Sequence, residues 1–177
     1  MRKLLLVILL FAATCSYAQN RKLWGAVEVG YGISLSDKGD AYDVSYGSDH
    51  KMAMSLIRAL LGYYVTPDLS LGVGIGLNSY TQLEGLNTLP VFIDVRYHPF
   101  TNKRFLLNGD IGYNLATSEN NKDGKWLFDF SFGYKLLDKR ISIIPAIGYN
   151  YCSYSIDGSS KMNQSRHSLF LKVGVAF

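Results

Sequence analysis

The chain has few of the devices that hold a small exported domain together. It has 2 cysteines among its 177 residues, Cys15 and Cys152, and only 4 prolines. Cys15 lies in an N-terminal leader, so Cys152 is the one thiol left afterwards and no intramolecular disulfide is available. No other stretch approaches the eighteen consecutive apolar residues of a spanning helix, which excludes a helical membrane protein. Charge is sparse at 18% of residues, and the formal net of +4 comes from Lys and Arg scattered among acids. That scatter gives no nucleic-acid footprint. The 3 histidines, His50, His98 and His167, lack the His-x-Glu-x-x-His spacing of a zinc site, so no metal and no cofactor are expected.

The leader is MRKLLLVILLFAATCSYA. Arg2 and Lys3 precede an apolar stretch from Leu4 to Ala13, and Ser16-Tyr17-Ala18 forms a small-x-small cleavage site before Gln19. Residues 1–18 therefore read as a cleaved signal peptide and 19–177 as the mature domain. An uncleaved anchor is the alternative, against which the stretch is short. Lipidation at Cys15 is another, although Ala12-Ala13-Thr14 departs from a lipoprotein cleavage box. Cleavage leaves 159 residues with a formal charge of +2, enough for one domain.

What the mature chain has in abundance is two-residue alternation, in eight segments of about ten to thirteen residues. They are Leu23–Leu35, Met52–Val65, Leu69–Tyr80, Leu89–His98, Phe105–Ala116, Trp126–Leu136, Ile141–Tyr154 and His167–Phe177. In the third, Leu69, Leu71, Val73, Ile75 and Leu77 alternate with Ser70, Gly72, Gly74, Gly76 and Asn78, a set that a helix would scatter around its surface. The second is rich in Met, Ala, Leu and Arg, which also form helices, so a helix stays open there. Short connections, Thr66–Asp68, Pro99–Arg104 and Leu137–Arg140, alternate with the longer polar loops 36–51, 81–88, 117–125 and 155–166. The expected fold is all-β: an eight-stranded antiparallel up-and-down transmembrane β-barrel.

The second face of each strand decides which side is lipid. It carries too many glycines to cover a barrel exterior and charges of both signs that need partners. Turned inward, it brings Glu28, Asp94, Asp110 and Asp129 beside Arg58, Arg96, Lys135 and Lys172, an interior ion-pair network. Height along neighbouring strands pairs Lys172 with Glu28 across the closing seam, Arg58 with Glu28, and Arg96 with Asp110. Aromatic residues form two rims. Trp24, Tyr63, Tyr97, Phe105, Tyr134 and Phe177 gather at the short-turn end, and Tyr31, Tyr80, Tyr113, Trp126, Tyr149 and Tyr151 toward the loops.

The leader ending SYAQ, the strand-turn-strand GYYVTPDLSLGVGIGL (Gly62 to Leu77), LPVFIDVRYHPF (Leu89 to Phe100) and the terminal LFLKVGVAF carry a resemblance. In this order the whole mature chain resembles the small eight-stranded outer-membrane β-barrel proteins, of OmpA/OmpX type or "porin family". The resemblance implies a Gram-negative cell envelope, localisation in the cell outer membrane, and contact with outer-membrane lipid and lipopolysaccharide. It also implies recognition of the last strand (Leu169, Leu171, Val173, Val175 and Phe177) by the barrel-assembly machinery. Full-length OmpA-like proteins carry a peptidoglycan-binding domain, and none is expected here after Phe177.

The expected role is structural or surface-interacting, without catalysis, as a monomer whose loops meet an extracellular ligand. A narrow passive pore is the alternative, and an outer-leaflet lipid-modifying enzyme the third reading. Ser165 and His167 share a face near the outer rim, as a nucleophile and base would, but Ser-x-His reverses the His-x-Ser of the lipid A deacylases. In the first loop Asp37, Asp40, Asp43 and Asp49 lack the ordered ligand series of a calcium loop, while Tyr42 and Tyr46 suit partner contact.

Overall fold

The computed structural model describes residues 22–39, 53–80, 87–116, 123–137, 141–157 and 161–177. The leader with Cys15, and Asp40, Tyr42, Asp43, Tyr46, Asp49 and His50 of the first loop, lie outside the described residues. Eight strands follow one another: β1 (Leu23–Gly39), β2 (Ala53–Tyr64), β3 (Leu69–Tyr80), β4 (Asn87–Tyr97), β5 (Phe105–Ala116), β6 (Asp123–Tyr134), β7 (Ser142–Asp157) and β8 (Lys161–Ala176). Each pairs antiparallel with its sequence neighbours, and β1 pairs with β8 to close the barrel.

The segment left open to a helix is a strand, paired on both sides from Leu23↔Tyr63 to Ile33↔Ala53 and from Tyr64↔Ser70 to Met54↔Tyr80. Helix propensities differ by only tenths of a kcal/mol per residue. Leaving the edges of β1 and β3 unpaired in lipid would cost several kcal/mol for each backbone group.

Outward and inward faces alternate as the sequence pattern requires. Val29, Val73, Ile93, Phe132 and Leu171 are exposed, while Leu56, Arg58, Phe92, Leu127 and Phe170 are buried in the lumen. Two rim assignments change. Trp24 and Tyr80 are 5% and 4% exposed, so both rings point inward rather than toward headgroups. The Arg96 guanidinium lies 4.1 Å from the Trp24 ring and that of Arg166 4.9 Å from the Tyr80 ring, and such cation–π contacts favour an interior position.

At the loop end several strands outrun their apolar alternation. Residues 155–166, expected as a loop, are instead largely a β-hairpin, with Ser155 opposite Asn163 and Asp157 opposite Lys161. Ladder hydrogen bonds do not require an apolar face, so pairing continues where the side chains have become polar. β1 passes a bulge between Ser34 and Ser36 and follows β8 as far as Gly39↔Gln164, whereas its pairing with β2 ends at Ile33↔Ala53. β7, β8 and β1 thus project roughly 20 Å beyond the β1–β2 rim, at about 3.3 Å per residue.

The glycines of β3 explain how one narrow lumen holds several large side chains. A Cβ at Gly72 would stand 3.0 Å from the Trp24 ring, at Gly74 only 2.3 Å from the Phe92 ring, and at Gly76 only 2.9 Å from Arg58 Cγ. The bare strand is the wall against which these three residues lie. The tightest position is on β5, where a Cβ at Gly112 would come within 2.2 Å of the Val91 carbonyl oxygen. Gly112→Val should therefore abolish the heat-resistant folded band on a semi-native gel. Gly109→Ala, whose Cβ meets nothing closer than 4.0 Å, should leave the band unchanged.

Candidate functional site

Halfway up the lumen the inward charges form one connected layer. Arg58 Nη1 donates to Asp110 Oδ2 at 2.9 Å, and the same guanidinium pairs with Asp129. Arg96 donates from Nη2 to Glu28 Oε1 at 2.8 Å and from Nε to Asp94 Oδ1 at 2.9 Å. Lys172 Nζ donates to Glu28 Oε2 at 2.7 Å and to Asn108 Oδ1 at 2.9 Å. The Asn108 amide nitrogen donates in turn to Asp94 Oδ2 at 2.6 Å and Asp110 Oδ1 at 3.2 Å. Ser131 donates to Asn108 and Asn150 to Asp129. All the carboxylates of the layer have donors, as burial demands.

The expected Lys172–Glu28 bond across the β8–β1 seam is present. Two other expected pairs are not. Arg58 stands opposite Glu28 in the β1–β2 register, yet its guanidinium crosses the lumen to β5 and β6. Arg96 turns from Asp110 to Glu28 and Asp94. Neighbouring side chains on adjacent strands point the same way into the lumen, so a long cation reaches a carboxylate on the opposite wall more directly than one beside its own Cα. It also separates Arg58 from the Arg96 and Lys172 charges around Glu28. Asp94, Asp110 and Asp129 lie side by side across β4, β5 and β6, and Arg58 and Asn108 bridge this acidic row.

Lys135, also expected in the layer, lines the turn-end recess together with Arg96. It is half-buried one residue past β6, at the short-turn mouth, where its backbone N–H donates to the Arg104 carbonyl at 2.8 Å. Asn108 and Asn150 were missed because an uncharged amide gives no sign in an alternation pattern; their inward register position was the available clue. The faces of Phe92 and Phe170 lie 5.0 and 5.7 Å from the Arg58 and Lys172 charges, closing the layer with apolar surface that carries a favourable quadrupole.

Toward the loops, Tyr80 Oη and Cys152 Sγ are 3.3 Å apart in the buried lumen. Ser165 and His167 do not form a nucleophile–base pair. Ser165 Oγ donates to the Lys38 carbonyl at 3.4 Å, and His167 Nδ1 contacts the Tyr149 hydroxyl beside the Tyr151 ring. Asp37 lies on β1 with its backbone opposite Arg166 of β8.

The chain is similar to known proteins in fold rather than in sequence. Neither protein-family models nor curated protein sequences match it. Solved structures do. The outer membrane protein OprG from Pseudomonas aeruginosa aligns with a TM-score of 0.50 at 14% identity, over 88% of this chain and 96% of that one. Neisserial surface protein A (NspA) aligns with a TM-score of 0.50 at 12% identity, over 85% and 96%. The fold is that of a small outer-membrane β-barrel. At these identities the likeness concerns architecture alone, and it agrees with the OmpA/OmpX-type resemblance of the sequence.

In such a barrel the ionic layer acts as a cross-brace. Removing one member of a buried pair typically costs about 3–5 kcal/mol, because its partner is left charged and dry. Arg58→Met should lower the unfolding free energy in detergent by about that amount. Adding Asp110→Asn and Asp129→Asn to the variant should recover much of the loss. Lys172→Ala should cost less, because Arg96 still holds Glu28.

Proposed function

We propose that the protein resides in the outer membrane as a monomeric barrel with a closed lumen and serves a structural or surface-interaction role. The observation that carries this reading is the ionic layer, whose Arg58 and Asp110 side chains have no solvent exposure and whose bonds run from wall to wall. An ion crossing the lumen would have to separate several buried pairs, each a barrier of kcal/mol size. The outward band of Val, Ile, Leu and Phe matches a hydrocarbon surrounding. Lipid and lipopolysaccharide are its proposed neighbours, and the assembly machinery the proposed reader of Leu169, Leu171, Val173, Val175 and Phe177.

The surface role belongs to the loop end. Among the described residues the sheet of β7, β8 and β1 extends beyond the β1–β2 rim, and together with loops 36–51, 81–88 and 117–125 it is the proposed contact for an extracellular ligand. No catalytic role is proposed, since the hydroxyl and imidazole nearest to an enzyme-like pairing make their hydrogen bonds elsewhere.

In planar bilayers the purified barrel should give no stepwise conductance. Steady channels in the wild-type protein would replace this reading with the narrow pore. A deletion from Lys38 to Gly47 should reduce adhesion or ligand capture by cells while leaving the folded barrel intact on gels; unchanged adhesion would remove the first loop from the contact surface.

A further inference from the structure

The short-turn mouth collects positive charge around a hollow. An outer chamber of about 480 Å³ is lined by Lys22, Lys103, Lys135 and His98, with Tyr64 and Thr66. His98, Lys135 and Tyr64 also line an inner recess of about 200 Å³ that reaches Arg96, Trp24 and Ser142. A water occupies about 30 Å³ in the liquid, so the recess has room for a small hydrated ion. Among the described residues no Asp or Glu lines either chamber; Asp68, just outside, lies 3.5 Å from Lys103 Nζ.

One buried feature points to a ligand that accepts hydrogen bonds. Trp24, 5% exposed, has its indole N–H buried with no partner among the described residues. Such an orphaned donor is costly unless something fills the site. Lys103 holds a left-handed backbone at φ 52°, a conformation that glycine adopts without strain. That conformation carries its ammonium across to the first turn, where it donates to the Pro67 carbonyl at 3.0 Å at the edge of the chamber.

We propose that this mouth is an anion site that takes a phosphate group, with Lys22, Lys103 and Lys135 supplying charge and Trp24 and His98 the inner wall. Ammonium groups suit a phosphate as mobile point charges with several donors each. His98 adds a proton-linked donor. Its Nδ1 lies 2.9 Å from the Phe105 carbonyl and donates to it, which leaves Nε2 as the second nitrogen able to take a proton. Burial holds the ring below the ordinary imidazole range, and Lys135, Lys103 and Arg96 add to this against the Phe105 carbonyl. The groups around it are Lys22 before β1, Tyr64 of β2, Asp68 of the first turn, Arg96 of β4, Lys103 of its own turn, Lys135 after β6, Ser142 of β7 and Phe177 after β8. A bound anion favours the protonated ring, so affinity rises as pH falls through the titration of His98.

The chain has 2 tryptophans, and Trp126 faces outward, so Trp126→Phe leaves Trp24 as a fluorescent reporter inside the recess. The full mature barrel, refolded in a non-ionic detergent, is titrated with inorganic phosphate. A saturable change in Trp24 emission is expected, weakened about tenfold by Lys103→Gly, which removes the charge and relieves the backbone, and likewise by Lys22→Gln. Sulfate, whose charge is constant over the range, should bind more tightly toward acid pH in the parent and not in His98→Gln. Displacement of phosphate by a short-chain phosphatidylglycerol would assign a lipid headgroup as the source; phosphate binding that the lipid leaves untouched would assign a soluble phosphate. Trp24 emission indifferent to phosphate, or binding that Lys103→Gly and Lys22→Gln leave unchanged, would overturn the proposal.

Discussion

A β-strand in hydrocarbon has no water to satisfy its N–H and C=O groups, so each of the eight strands needs two neighbours. Here that requirement is met by one seam, the β1–β8 ladder from Ala26↔Ala176 to Gly39↔Gln164. The rest of the structure follows from closing it. Eight strands enclose a space only as wide as side chains, so every inward position must be filled without overcrowding. Glycines on β3 answer this locally by giving room to Arg58 and Phe92 from the strands beside it and to Trp24 from β1.

Filling a lumen with charge rather than leucine has a physical consequence. An apolar interior would be held by area alone, whereas Arg58, Arg96 and Lys172 tie Asp110, Glu28 and Asn108 on opposite walls at 2.8–2.9 Å. Seven strands contribute to the layer, and β3 contributes space. Such a network ties the walls of the barrel together across the lumen. It also frees the two ends for other work. The loop end extends as a sheet, and the turn end opens into a basic hollow whose floor is Arg96, the guanidinium that also braces the layer.

The strand order and both faces of every strand were legible because lipid outside and a lumen inside impose opposite demands on alternate residues. The Lys172–Glu28 bond was legible too, since it joins adjacent strands at one height. The partners of Arg58 and Arg96 were not, because height on adjacent strands says nothing about the wall opposite. Trp24 and Tyr80 misled as rim residues because height alone was weighed; they share the inward parity of Glu28 and Asn78, which fixes the face of a strand side chain. Lys135 shares the inward parity of Asp129 and Ser131 but lies one residue beyond β6, which ends at Tyr134. The hairpin within 155–166 gave no sign because alternation disappears once neither face meets lipid.

The central claim is that the bracing runs across the lumen rather than along the wall. A double-mutant cycle in detergent, pairing Arg58→Met with Asp110→Asn and separately with Glu28→Gln, measures it directly. The account predicts a coupling of about 1–3 kcal/mol for Arg58 with Asp110 and a distinctly smaller one with Glu28, its neighbour in register. A larger coupling to Glu28 would contradict it.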